Sequence, residues 1–380
     1  MSKTKAVSIR QCFAEVPDPR RQHMRLHNLW DIIAITILAV TAGADSWIEV
    51  GKYGVSKLDF LETFLELPHG IPSHDTFGRV FALLSPSALQ EGFMKWVQAI
   101  AEATLGRLVA IDGKTARRSF DKAAGKGPLH MVSAWASENR LLLGQQACDS
   151  KSNEITAIPE LIKNLEISGS IVTIDAMGCQ KEIAATIQEA GADYVLAVKD
   201  NQPTLHDDIR HVFSEGLDNG FAGMEHYSHG TEEEGHGRVE TRIYYIVGVP
   251  EALAERHPDW QGLRSIGLVY SERQEGNKEL SMETRVFISS MPPRAKKFAR
   301  AVRNHWGIET SLHWVLDVSF REDESRLHKG HGQENMALIR RLSASLLHNE
   351  PNCKAGVACK RKCAGWDDDY LLKVLAASLK

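Results

Sequence analysis

Two aspartates in this 380-residue chain share one local setting: VAIDGK at Asp112 and VTIDAMG at Asp175. Each closes a short apolar run that reads as a β-strand and precedes a glycine-containing turn. A carboxylate at a strand end is held rigidly at the edge of a sheet, where hard divalent cations find oxygen ligands. A single such Asp is most often a turn or cap residue; two at matching positions are a stronger signal. A third acid, Glu309, lies in RNHWGIETSLHWVLDVSF, which reads as a helix. At about 100° per residue, His305, Glu309 and His313 fall on one stripe, with Trp306, Ile308 and Leu312 on the other face. On its own this helix reads best as amphipathic with a polar face. The sharper readings are a carboxylate presented between two DNA-contacting histidines, or a zinc stripe of His305, Glu309 and His313. Zinc would leave the strand-end aspartates unexplained, and HExxH is absent.

Three carboxylates have a definite use. Phosphodiester cleavage by two metal ions employs one ion to activate the attacking oxygen and one to stabilise the leaving oxygen, roughly 4 Å apart. Two dications that close require several negative ligands, and carboxylate oxygens suit Mg²⁺. Basic residues cluster near each acid. Lys114, Arg117 and Arg118 follow Asp112, Lys199 lies in KDNQP, and Arg294, Lys296, Lys297, Arg300 and Arg303 lead toward Glu309. Such clusters would hold phosphates beside the acids, though any one of them also fits a solvated helix face. Trp306 is a candidate base-stacking residue, against the commoner case of a buried tryptophan.

Composition sets the frame. The net charge of −4 gives no whole-chain support for nucleic-acid binding, so a DNA site would have to come from those local clusters. An apolar fraction of 43% suits a globular protein with a real core. Six cysteines (12, 148, 179, 353, 359 and 363) form no CxxC pair and fit reduced thiols in a cytoplasmic protein. Cys353, Cys359 and Cys363 lie in a basic stretch that lacks a matching second ligand pair for a metal. The start lacks the apolar core of a secretory signal, and the run Ile32 to Ala44 is too short to span a bilayer, so it reads as a buried helix.

The elements that must position the acids follow from periodicity. Residues 1–27 are polar and turn-forming. From Leu29 to about Leu67 the pattern is helical, interrupted near Gly43 and Gly51, and helical stretches resume from Thr76 to about Ala103. Strands are expected at Arg107–Ile111, leaving into a loop at Asp112, then at His130–Ala136 and Leu141–Cys148, joined by a SENR turn. Helix 155–165, strand 171–174, helix 180–190 and strand 194–198 follow. This order predicts a mixed sheet with helices on its faces. Residues 215–292 read as a β-rich insertion. Helical pattern resumes from Arg294 to about Val318 and from Glu334 to Leu347, and the last 30 residues end in a short helix.

VAIDGKTARRS, KSNEITAIPELI, TIDAMGCQKEIA, YVLAVKDNQ and RNHWGIETSLHWVLDV, with GIPSHDTFGRV and SPSALQEGFMKW nearer the start, resemble the H-repeat-associated transposases of bacterial insertion sequences. These belong to the wider DDE transposases, and the likeness spans nearly the whole chain. The resemblance implies an α/β, ribonuclease H-like mixed sheet flanked by helices, with Asp112 on the first strand, Asp175 on the fourth and Glu309 on the helix after the insertion. It implies a helical N-terminal region (1–104) that binds element ends, a catalytic domain (105–350) with its insertion at about 215–292, and a tail (351–380). The expected activity is Mg²⁺-dependent cleavage at element ends and strand transfer into double-stranded target DNA, with Mn²⁺ as a substitute ion. A homodimer assembled on DNA, without a membrane and at the nucleoid when acting, is expected with it. A non-transposing nuclease and an inactive DNA-binding protein are the alternatives. Many relatives carry Tyr, Arg and Lys at seven before, four before and seven after the glutamate. Here those positions are Val302, His305 and Leu316, which leaves His305, Arg303 and Arg326 as candidates for their phosphate contacts.

Overall fold

The computed structural model describes residues 9–101, 108–120, 127–148, 154–235, 237–276 and 278–377. Arg107 and the end of the helix expected to reach Ala103 lie outside them. The helices are α1 (Ile9–Phe13), α2 (Leu29–Thr41), α3 (Trp47–Ser56), α4 (Leu58–Leu61), α5 (His74–Leu83) and α6 (Pro86–Ala101). Then come β1 (Leu108–Thr115), β2 (His130–Ala136), β3 (Leu141–Ala147), α7 (Glu154–Lys163), β4 (Ile171–Ile174), α8 (Lys181–Glu189), β5 (Asp193–Val198) and α9 (Pro203–Asn219). The β-rich stretch holds β6 (His226–Gly235), β7 (Arg238–Gly248), α10 (Glu251–Arg256), β8 (Ser265–Glu275) and β9 (Ser281–Ser289). It is followed by α11 (Ala295–Ile308), a π-helical turn (Glu309–His313), α12 (Trp314–Phe320), α13 (Gly332–Asn349), α14 (Val357–Trp366) and α15 (Asp368–Ala377).

The strands form one mixed sheet in the order β3-β2-β1-β4-β5-β9-β8-β7-β6. β1, β4 and β5 are parallel, with α7 and α8 as crossovers, and β9 joins β5 antiparallel. The insertion therefore extends the same sheet as a meander, which its alternating strands could not reveal, because periodicity reports a strand's faces and not its neighbours.

Three expectations change. β1 continues through Asp112 to Thr115 instead of leaving into a loop at the aspartate, and backbone pairing persists as the Ala116 N–H donates to the Leu129 carbonyl. The helical break expected at Gly51 is absent: Gly51 lies within α3, which ends at Ser56. The helix carrying Glu309 is not continuous, being widened into a π-turn between α11 and α12.

By contact, the chain divides into two units: one of Met1–Thr104, Gly113–Lys151 and Glu309–Lys380, the other of Leu105–Asp112 and Ser152–Ile308. In the first, α2 is buried on nearly every side, Ile32 to Val40 throughout, as its unbroken apolar run requires. The helix α13 turns a polar stripe at helical spacing toward the β2–β3 hairpin. Arg341 Nε donates to Ser133 Oγ (3.2 Å), Ser345 Oγ accepts from the Leu142 N–H (3.1 Å), and Asn349 donates to the Arg140 carbonyl (3.3 Å).

In the second unit, α11 lays Phe298, Ala299 and Val302 on the sheet face that carries Leu108, Ile171, Val195, Tyr244, Val269 and Phe287. Gly267 on β8 permits that approach, since a β-carbon there would overlap the Phe298 ring. The basic residues of α11 (Lys296, Lys297, Arg300 and Arg303) are exposed on its other side.

Candidate active site

The register of β1 against β4 decides where the two aspartates stand. Leu108 pairs with Ile171, Ala110 with Thr173 and Ile111 with Ile174, so Asp112 and Asp175 are the next residues on neighbouring parallel strands. Adjacent strands run about 4.8 Å apart, and side chains alternate faces. Asp112 shares a face with Leu108 and Ala110, and Asp175 with Ile171 and Thr173. This is the face that α11 covers.

Asp175 is fixed by a tight turn. Its Oδ1 accepts from the N–H groups of Met177 (3.0 Å) and Gly178 (3.3 Å). Gly178 is required there, because a β-carbon would overlap Ile174 and crowd Ile158. Burial pushes the Asp175 carboxyl above its ordinary range, and the charge of Glu154 adds to the rise; the two N–H donors and Lys199 act against it. Glu154, the first residue of α7, is a buried carboxylate of the KSNEITAIPELI motif that sequence reasoning passed over. Nothing in its spacing marks it, since its nearness to Asp175 depends on the crossover between β3 and β4.

Along α11, Phe298 stands over β8, and His305 reaches β4, where its Nδ1 lies 3.1 Å from Thr173 Oγ1. Burial pushes the His305 ring down to about 4, so it is neutral near pH 7. Trp306 is 45% exposed, with the Arg285 guanidinium 5.5 Å from its ring centroid. Arg303 is held by both carboxylate oxygens of Glu233 (3.0 and 2.6 Å). Val302 and Leu316, at positions where wider relatives carry Tyr and Lys, are buried apolar residues.

Glu309 is exposed and opens the π-turn, whereas His313 is buried. The exposed Glu309 and the buried His313 therefore do not share the polar face that a regular helix predicts. Among the described residues, no group of three or more His, Cys, Asp and Glu side chains is gathered to hold a metal ion.

The basic residues fall in different settings. Arg117, Arg118, Lys199 and Arg326 are exposed, and Arg117 also contacts Asp323 (3.3 Å). The Lys114 ammonium is buried among carboxylates: Asp317 at 2.7 Å, Asp323 at 3.3 Å and Glu322 at 3.8 Å. Glu322 in turn pairs with the buried Arg341 at 2.7 Å. Lys114 thus holds the strand after Asp112 to the segment that ends α12.

Residues 103–347 match the family model described as transposase DDE domain, and residues 10–97 match the one described as DDE_Tnp_1-associated. The protein named "Putative transposase YncI" of Escherichia coli O157:H7 is 42% identical over 95% of this chain and 93% of its own length. The "H repeat-associated putative transposase YhhI" of Escherichia coli strain K12 is 41% identical over 96% of both chains. A shorter match, 42% identical over 17% of this chain, is to the "Inactive transposase YbfQ" of the same strain. Among the described residues, no helix is long and apolar enough to cross a membrane.

Proposed function

The chain belongs to the DDE transposase family, and from that membership we propose that it cuts DNA at the ends of a bacterial insertion sequence and joins them to target DNA. The observation that carries the chemistry is the β1–β4 register, which sets Asp112 and Asp175 side by side on one face of the sheet. The donor set suits Mg²⁺, or Mn²⁺ in its place. Two carboxylates on neighbouring strands, with the charge of Glu154 acting on Asp175, form a negative locus whose repulsion a cation would relieve. Glu309 is proposed as the third carboxylate: it lies one turn beyond His305, whose bond to Thr173 brings α11 to the strand that carries Asp175. When bound, the divalent ions would neutralise the charge developing on the scissile phosphate and favour the attacking oxyanion.

The chain's own residues supply position. The Met177 and Gly178 amides hold the Asp175 carboxylate in one orientation. Neutral His305 fixes α11 without adding charge. Arg117, Arg118, Lys199, Arg326 and the exposed side of α11 offer guanidinium and ammonium groups for phosphates, and Trp306 offers a partly exposed ring for stacking. Residues 1–104 are proposed to bind element ends, and a homodimer on DNA would bring two ends together.

The test is cleavage and strand transfer on DNA carrying the element's inverted repeats, with Mg²⁺. Asp112→Asn, Asp175→Asn and Glu309→Gln are each expected to lower cleavage by roughly a thousandfold or more while leaving end binding intact. Full activity in any of the three removes that residue from the site. Cutting without joining would favour a nuclease, and binding without cutting a DNA-binding protein.

A further inference from the structure

The turn that carries Glu309 is held from outside its own helix. A π-turn widens the backbone and serves its carbonyls poorly through the regular helical ladder, so it persists where other contacts define it. One such contact is visible: the Nε2 of His348, near the end of α13, lies 2.7 Å from the carbonyl oxygen of Ser311, at the middle of the turn. A carbonyl only accepts, so Nε2 carries the proton and donates. The ring is seated in turn: it meets the buried Trp135 of β2 edge-on, with centroids 6.0 Å apart at 67°. The neighbouring Asn349 ties the same end of α13 to the Arg140 carbonyl.

We propose that His348 is a positioning residue for Glu309, fixing the π-turn by its hydrogen bond to Ser311 while Trp135 and the β2–β3 hairpin fix the ring. The proposal rests on the reading of Glu309 as a catalytic carboxylate. His348 touches neither substrate nor the reacting atoms; its effect passes through the Ser311 carbonyl to a residue two positions away. Burial keeps the imidazole neutral at working pH, with Arg140 and Lys360 opposing its protonation and the Ser311 carbonyl favouring it. A neutral ring bonds the carbonyl without adding a charge to the turn.

The test uses the full-length chain and three substitutions, His348→Leu, His348→Gln and His348→Asn. Glutamine can present an amide N–H near the Nε2 position, and the shorter asparagine cannot. Hydrogen exchange of the amides in residues 309–316, followed without metal, is expected to quicken at least tenfold in the Leu and Asn variants and to stay near wild type in Gln. Mg²⁺-dependent cleavage should fall at least tenfold in Leu and Asn and recover in Gln, with the Kd for end DNA unchanged in all three. Should Leu fail to fold, the contrast between Gln and Asn decides. Unchanged exchange in Leu and Asn, or a Gln variant no better than Asn in both readouts, overturns the proposal. If the wild-type chain cleaves no DNA, the catalytic reading fails, while the exchange pattern still reports whether His348 holds the turn.

Discussion

Lys114 shows how a residue's surroundings override its type. Two positions after Asp112 in a basic run, it reads as a phosphate contact, yet its ammonium lies among Asp317, Asp323 and Glu322. Removing one partner of a buried ionic group leaves the others uncompensated, at a cost of about 3 kcal/mol. Lys114→Met should therefore lose about that much stability in urea unfolding, and adding Asp317→Asn should restore part of it; a double variant whose loss equals the sum of the two single-variant losses would show that the two groups are uncoupled. Asp175 illustrates the opposite case: the turn that fixes it is legible from VTIDAMG, since an Asp followed by a small residue and a glycine commonly bonds the backbone just ahead. Glu154 was not legible, because an acid in the first turn of a helix is ordinary and only the crossover brings it near Asp175.

At the scale of elements, strands and helices around the aspartates were legible because their periods are clean. Strands β2, β4 and β5 and helices α7 and α8 fall within a residue or two of the expected spans. The π-turn was not: RNHWGIETSLHWVLDVSF keeps its apolar residues near helical spacing, and the extra residue per turn is tolerated because outside contacts, His348 among them, hold it. The seating of α11 depends on one absent side chain. Gly267→Val would force the Phe298 ring away from β8, and overpacking of this kind costs about 2 kcal/mol. A variant with an unchanged unfolding midpoint would show that α11 moves without penalty. Because α11 ends where Glu309 begins, the same substitution is expected to lower cleavage more than end binding.

For the molecule as a whole, stability should depend on pH through two half-buried histidines. Burial brings both His305 and His348 down to about 4 from an ordinary 6.5. Between those values the unfolded chain binds protons that the folded chain does not, so stability falls as pH drops from about 6.5 toward 4 and is indifferent to these groups above about 7. Unfolding midpoints of the metal-free protein at pH 7.5 and 5 should differ, and His348→Gln should shallow the slope. An identical slope would mean that His348 titrates normally. The sequence by itself determined most of the secondary structure around Asp112 and Asp175, though not that β1 runs on past Asp112 to Thr115, and, through motifs along nearly its whole length, the family. It did so because strand periodicity, turn chemistry and long motifs are local. Tertiary structure alone decided that β1 and β4 are neighbours in register, that the insertion continues the sheet, that Lys114 faces inward and that the Glu309 turn is tied to α13. Each of these is a contact between residues far apart in the chain, set by which apolar faces bury one another and not by any local run of residues.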